Sequence, residues 1–206
     1  MLDSPYVRRV AVSLQLMGLS FVHRPVSVFG GIESFRQINP VVKAPTLVCD
    51  DGTVLMDSTL ILDYAEGLPE KRASLMPAGP AARLPVLRQI GLALAACEKA
   101  VQIVYERELR PAEKQHAPWL DRVRTQLLAA CDGMEAELAR QPNVWDGSTP
   151  TQADVCTAVA WQFMQQLVPQ EVPASRYPRL RQQSAIAEAL PAFQRAPHGA
   201  GTCAAA

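Results

Sequence analysis

The chain has 206 residues, 49% of them hydrophobic, enough to bury a core in one or two small domains. Its 20 Lys and Arg balance 20 Asp and Glu, so it lacks the electrostatic footprint of a nucleic-acid binder or a polybasic membrane protein. No apolar run reaches the roughly 18 residues that span a bilayer, and the N-terminal MLDSPYVRR has no signal-peptide pattern, so a cytoplasmic protein is expected, with neither nucleic acid nor membrane as partner.

Val7, Val10, Ala11, Leu14 and Met17 recur at helical spacing, with Pro5 suited to a first helical position and Gly18 to a stop. Phe21 to Val28 is rich in aromatic and β-branched residues and is predicted to be a strand. Ile32, Phe35 and Ile38 predict a short helix before Asn39-Pro40. Thr46 to Cys49 and Thr53 to Met56 flank Asp50-Asp51-Gly52 and predict a hairpin. Asp57-Ser58 supplies caps for a helix carrying Leu60, Ile61 and Tyr64, which ends at Gly67-Leu68-Pro69. Residues 1–67 therefore read αβαββα.

Pro69, Pro77, Pro80 and Pro85 mark residues 68–85 as a connector. Beyond it, residues 86–206 carry the helical period throughout: Leu87 to Val104, then Trp119 to Leu138. Val155 to Val168 is apolar on nearly every side and is expected to be central in a bundle, Tyr177 to Leu190 forms a last helix, and the Gly- and Ala-rich end after Pro197 is expected to fray. The three tryptophans fall on apolar helical periods and are expected in the core.

The five cysteines lie at least 25 residues apart with no CxxC pair, and neither a disulfide framework nor a metal site is indicated. His23, His116 and His198 have no acid or cysteine partner at a readable spacing and are assigned no catalytic role.

Four segments, taken in order, resemble the cytosolic glutathione transferase family of the bacterial, serine type. They are Ser4-Pro5-Tyr6-Val7-Arg8-Arg9-Val10, Asn39-Pro40-Val41-Val42-Lys43-Ala44-Pro45-Thr46-Leu47, Asp57-Ser58 and Thr151-Gln152-Ala153-Asp154. The resemblance implies an α/β thioredoxin-like N-terminal domain followed by an all-α helical-bundle C-terminal domain. It also implies glutathione as co-substrate with no further cofactor, a small electrophilic second substrate, and a homodimer. One departure stands out: such domains begin with a strand of about five residues, yet only Met1, Leu2 and Asp3 precede Ser4. The expectation is a natural chain that starts several residues earlier.

Ser4 before Pro5 is explained by helix capping alone, but a helix N-terminus also stabilises a thiolate, and a hydroxyl there can donate to the sulfur. Ser4 and Val7 stand where glutaredoxin-like proteins carry two cysteines, so this turn forms no disulfide and is left to activate another molecule's thiol. The resemblance implies that Ser4 is the catalytic residue. It likewise implies that Ala44-Pro45 is a cis bond whose backbone meets the glutathione peptide, and that Lys43 neighbours the glycine carboxylate. By themselves Lys43 reads as a surface lysine and Asp57 and Ser58 as caps; in the family this acid-Ser pair receives the γ-glutamyl end. Thr151 and Asp154 read as a capping-box variant. Tyr105, toward the end of the first long helix of the second domain, is the acceptor-site candidate. An alternative function is a non-catalytic, glutathione-transferase-like interaction or regulatory protein, since fold does not fix function.

Overall fold

The computed structural model describes residues 1–140 and 145–203. The chain divides into two compact units, one of Met1–Met76 together with the chain from Leu190 onward, the other of Pro77–Ala189. No helix among the described residues is long and apolar enough to cross a membrane.

The first unit is organised around α1 (Pro5–Met17). Ser4 caps it by accepting the Val7 N–H, and Pro5 sits in the first turn, where a missing N–H leaves no bond unmade. At the far end Gly18 takes φ 71°, and the Leu19 N–H reaches back to the Leu14 carbonyl at 2.9 Å, closing a Schellman-type turn. A Cβ at Gly18 would lie 2.8 Å from Arg72 Cδ, so both conformation and space require glycine there. Helix α1 is buried well beyond one apolar face, because Arg8, Arg9, Ser13 and Gln15 are buried along with Val7, Val10, Ala11, Leu14 and Met17. It packs against α3 (Ser58–Gly67) and against α8 (Pro191–Gln194). Arg8 Nε donates to the Ala196 carbonyl at 2.8 Å, and its guanidinium carbon lies 5.5 Å from the centroid of the Phe193 ring. The Cys203 N–H donates to His23 Nδ1 at 3.0 Å. The end expected to fray is therefore tied to the first unit as far as Cys203.

Helix α2 (Ile32–Ile38) buries Phe35 and leads into Asn39, which is 1% exposed. The Asn39 amide donates to Thr46 Oγ1 at 2.9 Å and accepts the Val41 N–H at 3.0 Å, fixing the loop that enters β1 (Thr46–Val48). β1 pairs antiparallel with β2 (Val54–Met56), Thr46 opposite Met56 and Val48 opposite Val54, around a turn in which Gly52 has φ 87°. The hairpin is placed as the Asp-Gly signal predicts.

Phe21 to Val28 is a correction. The stretch forms no strand, and the sheet among the described residues is the two-stranded β1–β2 pair. A strand exists only where a neighbour exchanges backbone hydrogen bonds with it, and this stretch makes no such ladder among the described residues. Val22 is 86% exposed, and the segment turns locally through Ser27, whose hydroxyl accepts the Phe29 and Gly30 N–H groups.

The second unit holds α4 (Pro80–Glu108), α5 (Ala117–Ala139), α6 (Gln152–Leu167) and α7 (Pro178–Glu188). Helix α6 is central, as its apolar composition predicts: it packs on α4 and α7, and Val155 through Trp161 are all buried. Thr151 and Asp154 form a full capping box, and Gln183 of α7 donates to Asp154 Oδ1 at 2.7 Å. Burial raises the Asp154 carboxyl pKa despite these donors. The compositional connector is shorter than residues 68–85 suggest, since α4 starts at Pro80 and carries Pro85 inside it. Of the tryptophans, Trp161 is core and meets Tyr177 edge-on at 6.1 Å, whereas Trp119 is 40% exposed and Trp145 is half-buried. A helical period marks a face but not how deeply that face is covered.

Candidate functional site

Three chain segments of the first unit supply the site residues. The first is the N-terminus of α1. Ser4 Oγ accepts the Val7 N–H at 3.4 Å, which occupies a lone pair and leaves the hydroxyl hydrogen free to donate. The second is the loop before β1, where Ala44–Pro45 is cis and Val42 holds φ 55°. The Ala44 N–H and C=O make no hydrogen bond to the described residues.

The third segment is the N-terminus of α3. Asp57 takes φ 74° and caps the helix, its Oδ1 accepting the Thr59 N–H at 2.9 Å. Lys43 Nζ lies 3.2 Å from Asp57 Oδ2. Partial burial pushes the Asp57 carboxyl up, but the Thr59 amide and Lys43 outweigh it and hold the group below the ordinary carboxylate value. Ser58 is 4% exposed and accepts from Arg9 Nη1 at 3.1 Å; the same nitrogen reaches Thr59 Oγ1 at 3.3 Å.

These contacts bring most of the expected residues together. Lys43 meets Asp57 directly, and Ser58 is tied through Arg9 to the helix whose first turn Ser4 caps. Five helical rises separate Ser4 from Arg9, about 7.5 Å along the axis. The site thus combines a donor hydroxyl, a free backbone N–H and C=O pair, two cationic side chains, one carboxylate and two helix N-termini. Such a set suits an extended peptide that carries both carboxylates and an ammonium group. Tyr105 belongs to α4 of the second unit, with 46% of its surface exposed.

Arg9 escaped the sequence reading. Its signal was present as a cation within the apolar period of α1, where the bland expectation is a side chain reaching solvent; instead it is 3% exposed.

The model of the glutathione S-transferase N-terminal domain matches residues 1–73, and that of the C-terminal domain matches residues 117–182. The GST-like protein YibF of Escherichia coli is 29% identical over 135 residues, 66% of this chain and 66% of its own length. The maleylacetoacetate isomerase of Pseudomonas aeruginosa is 28% identical over 202 residues, 91% of this chain and 89% of its own. Among solved structures, a glutathione transferase family member from Pseudomonas fluorescens Pf-5 with bound glutathione superposes with a TM-score of 0.76 at 27% identity, covering 94% of each chain. The chain belongs to the glutathione S-transferase family, with a thioredoxin-like N-terminal domain and a helical C-terminal domain.

Proposed function

We propose that the protein binds glutathione in its first unit and activates the thiol for attack on an electrophilic, largely apolar co-substrate. The observation that carries the reading is the state of Ser4. Its oxygen accepts from Val7, so its hydrogen is free for a sulfur placed at the α1 N-terminus. Glutathione's cysteine amide groups pair with the free backbone of Ala44, its γ-glutamyl carboxylate meets Ser58 and the N-terminus of α3, and its glycine carboxylate draws Lys43 away from Asp57. The γ-glutamyl ammonium takes the place of Lys43 at Asp57, whose carboxylate is already held in its charged form before binding by the Thr59 amide and Lys43.

In the reaction the thiol loses its proton to solvent, Ser4 hydrogen-bonds the resulting thiolate, and the sulfur forms a bond to the electrophilic carbon. The carbon's leaving group, chloride in a chlorinated aromatic, departs with the bonding electron pair. Thiolate stabilisation and proximity are the two contributions asked of the protein. Tyr105 is the candidate for contact with the acceptor, its half-exposed ring offering apolar surface and a hydroxyl. A homodimer belongs to the same proposal, and Leu60 and Tyr64 of α3, 62% and 42% exposed, are apolar surface in want of cover. A light-scattering mass near 22.4 kDa at micromolar concentration would contradict it.

Isothermal titration with glutathione, paired with conjugation to a chlorinated aromatic substrate, tests the function. Binding at or below millimolar concentration together with turnover is expected. Absence of both heat and thermal shift at millimolar glutathione would favour a non-catalytic interaction protein.

A further inference from the structure

Arg9 is a charged side chain that the first unit buries without neutralising. It is 3% exposed, and no carboxylate among the described residues lies within ion-pairing distance of it. Its Nη1 is used by two neutral hydroxyls, Ser58 Oγ at 3.1 Å and Thr59 Oγ1 at 3.3 Å, while its Nε is buried with no hydrogen-bond partner. A buried guanidinium is ordinarily paired with a carboxylate, because desolvation without a counter-charge is strongly unfavourable. Arg8, its neighbour, shows the contrast: its Nε is satisfied by the Ala196 carbonyl and its guanidinium carbon lies 5.5 Å over the Phe193 ring. The α3 N-terminus, which Arg9 meets at Ser58 and Thr59, adds a second positive potential at the same place.

We infer that Arg9 is a positioning residue for a ligand carboxylate held at the N-terminus of α3, acting through Ser58. The inference rests on the proposed glutathione reading and deepens its γ-glutamyl subsite. Arginine donates and never accepts, so the Ser58 oxygen, engaged by Arg9, turns its own hydrogen away from the guanidinium and toward the ligand. The uncompensated charge then lies one side chain behind that hydroxyl, in low-dielectric surroundings where a carboxylate completes the missing ion pair. Arg9 therefore recognises the anion without being the group that touches it.

The test compares wild-type protein with Arg9→Met and Arg9→Lys in binding glutathione and an analogue in which γ-aminobutyrate replaces the γ-glutamyl residue, so that one carboxylate is lost. Wild type should prefer glutathione over the analogue by at least thirtyfold. Arg9→Met should bind glutathione at least tenfold more weakly and the analogue within threefold of wild type. Its melting temperature without ligand should equal or exceed that of wild type, because a buried unpaired charge has been removed. Arg9→Lys, which keeps the charge and loses the planar fork, should fall between. Equal weakening of Arg9→Met toward both ligands, or a wild-type-like preference in either variant, would overturn the positioning role while leaving glutathione binding intact. Wild-type protein that binds neither ligand would overturn the glutathione reading and this inference together. If Arg9→Met fails to fold, its loss of structure contradicts the expected stability, and Arg9→Lys alone still reads the carboxylate preference.

Discussion

Replacement of Ser4 separates two roles that the structure superimposes on one hydroxyl. As a cap, Ser4 Oγ meets the Val7 N–H at 3.4 Å, a long bond, so Ser4→Ala should cost stability near the lower end of the usual N-cap range, about 0.5 kcal/mol. As a thiolate donor it contributes a hydrogen bond to an ionised group, on the order of 1.5–3 kcal/mol. At about 1.4 kcal/mol per unit, its loss raises the thiol pKa of bound glutathione by about 1–2 units. Below both pKa values the thiolate fraction falls accordingly, but a more basic thiolate attacks faster, with a Brønsted slope of about 0.4–0.5. The net deficit at low pH is therefore about 3- to 16-fold, and it closes as pH rises through the variant's thiol pKa. Ser4→Asp is the control: it caps as well as serine and suits the helix dipole, yet cannot donate once ionised. It should keep the stability and lose the activity. The assays are thiolate absorbance of bound glutathione and conjugation rate, both followed against pH, with urea unfolding for stability. A Ser4→Ala deficit that stays constant with pH would refute thiolate stabilisation, and undiminished turnover in Ser4→Asp would remove the hydrogen bond from the mechanism.

Asp57 holds φ 74° while capping α3, so Asp57→Gly should relieve strain as it loses the cap and stay close to wild type. Asp57→Ala keeps the strain and should be less stable by about 1 kcal/mol in urea unfolding. Because the folded Asp57 pKa is depressed, its contribution is present above the unfolded value of roughly pH 4 and is lost as pH falls through the folded value; Asp57→Gly should flatten this acid limb, and an unchanged limb would contradict it. Phe193 is fully buried against Arg8, so Phe193→Ala should destabilise the protein by about 3–5 kcal/mol in the same assay. A loss below 1 kcal/mol would mean that the C-terminal segment adds little to the first unit. The buried Cys131 thiol is pushed up to about 12, mainly by desolvation with Asp132 adding to it. Alkylation near pH 8 should therefore label half-buried Cys49 first and Cys131 only on unfolding, and mass mapping of labelled peptides would expose the reverse order.

What the sequence made legible was local. Ser4, Pro5 and Gly18 define α1 through interactions within a few residues, Asp50-Asp51-Gly52 defines the hairpin, and Thr151 with Asp154 starts α6; each needs nothing from elsewhere in the chain. The errors fall where structure depends on a distant partner. Phe21 to Val28 has strand composition, but pairing requires a second backbone alongside it. Trp119 has the period of a core residue on a helix that leaves it 40% exposed. Glycine and alanine after Pro197 give no pattern, yet Cys203 is fixed to His23, 180 residues away in sequence. The candidate site divides the same way. Ser4, Lys43, Ala44-Pro45 and Asp57-Ser58 can be proposed from the sequence because their motifs are contiguous, whereas Arg9 gains its significance from Ser58 across 49 residues.

The caps and the proposed ligand contacts coincide for a reason. A helix N-terminus must have its N–H groups satisfied by an acceptor whichever function the protein has, so Ser4, Asp57 and Ser58 by themselves do not separate an enzyme from an interaction protein of the same fold. Arg9 does bear on that choice. In a pure scaffold a buried guanidinium with no counter-charge is a standing destabilisation, and an apolar side chain of similar volume would serve α1 better. The same charge is favourable as soon as a carboxylate occupies the end of α3. Stability given up in the empty protein and recovered on binding is the pattern expected of a ligand site. The buried charge of Arg9 therefore favours a glutathione-binding protein over a scaffold that has lost its ligand.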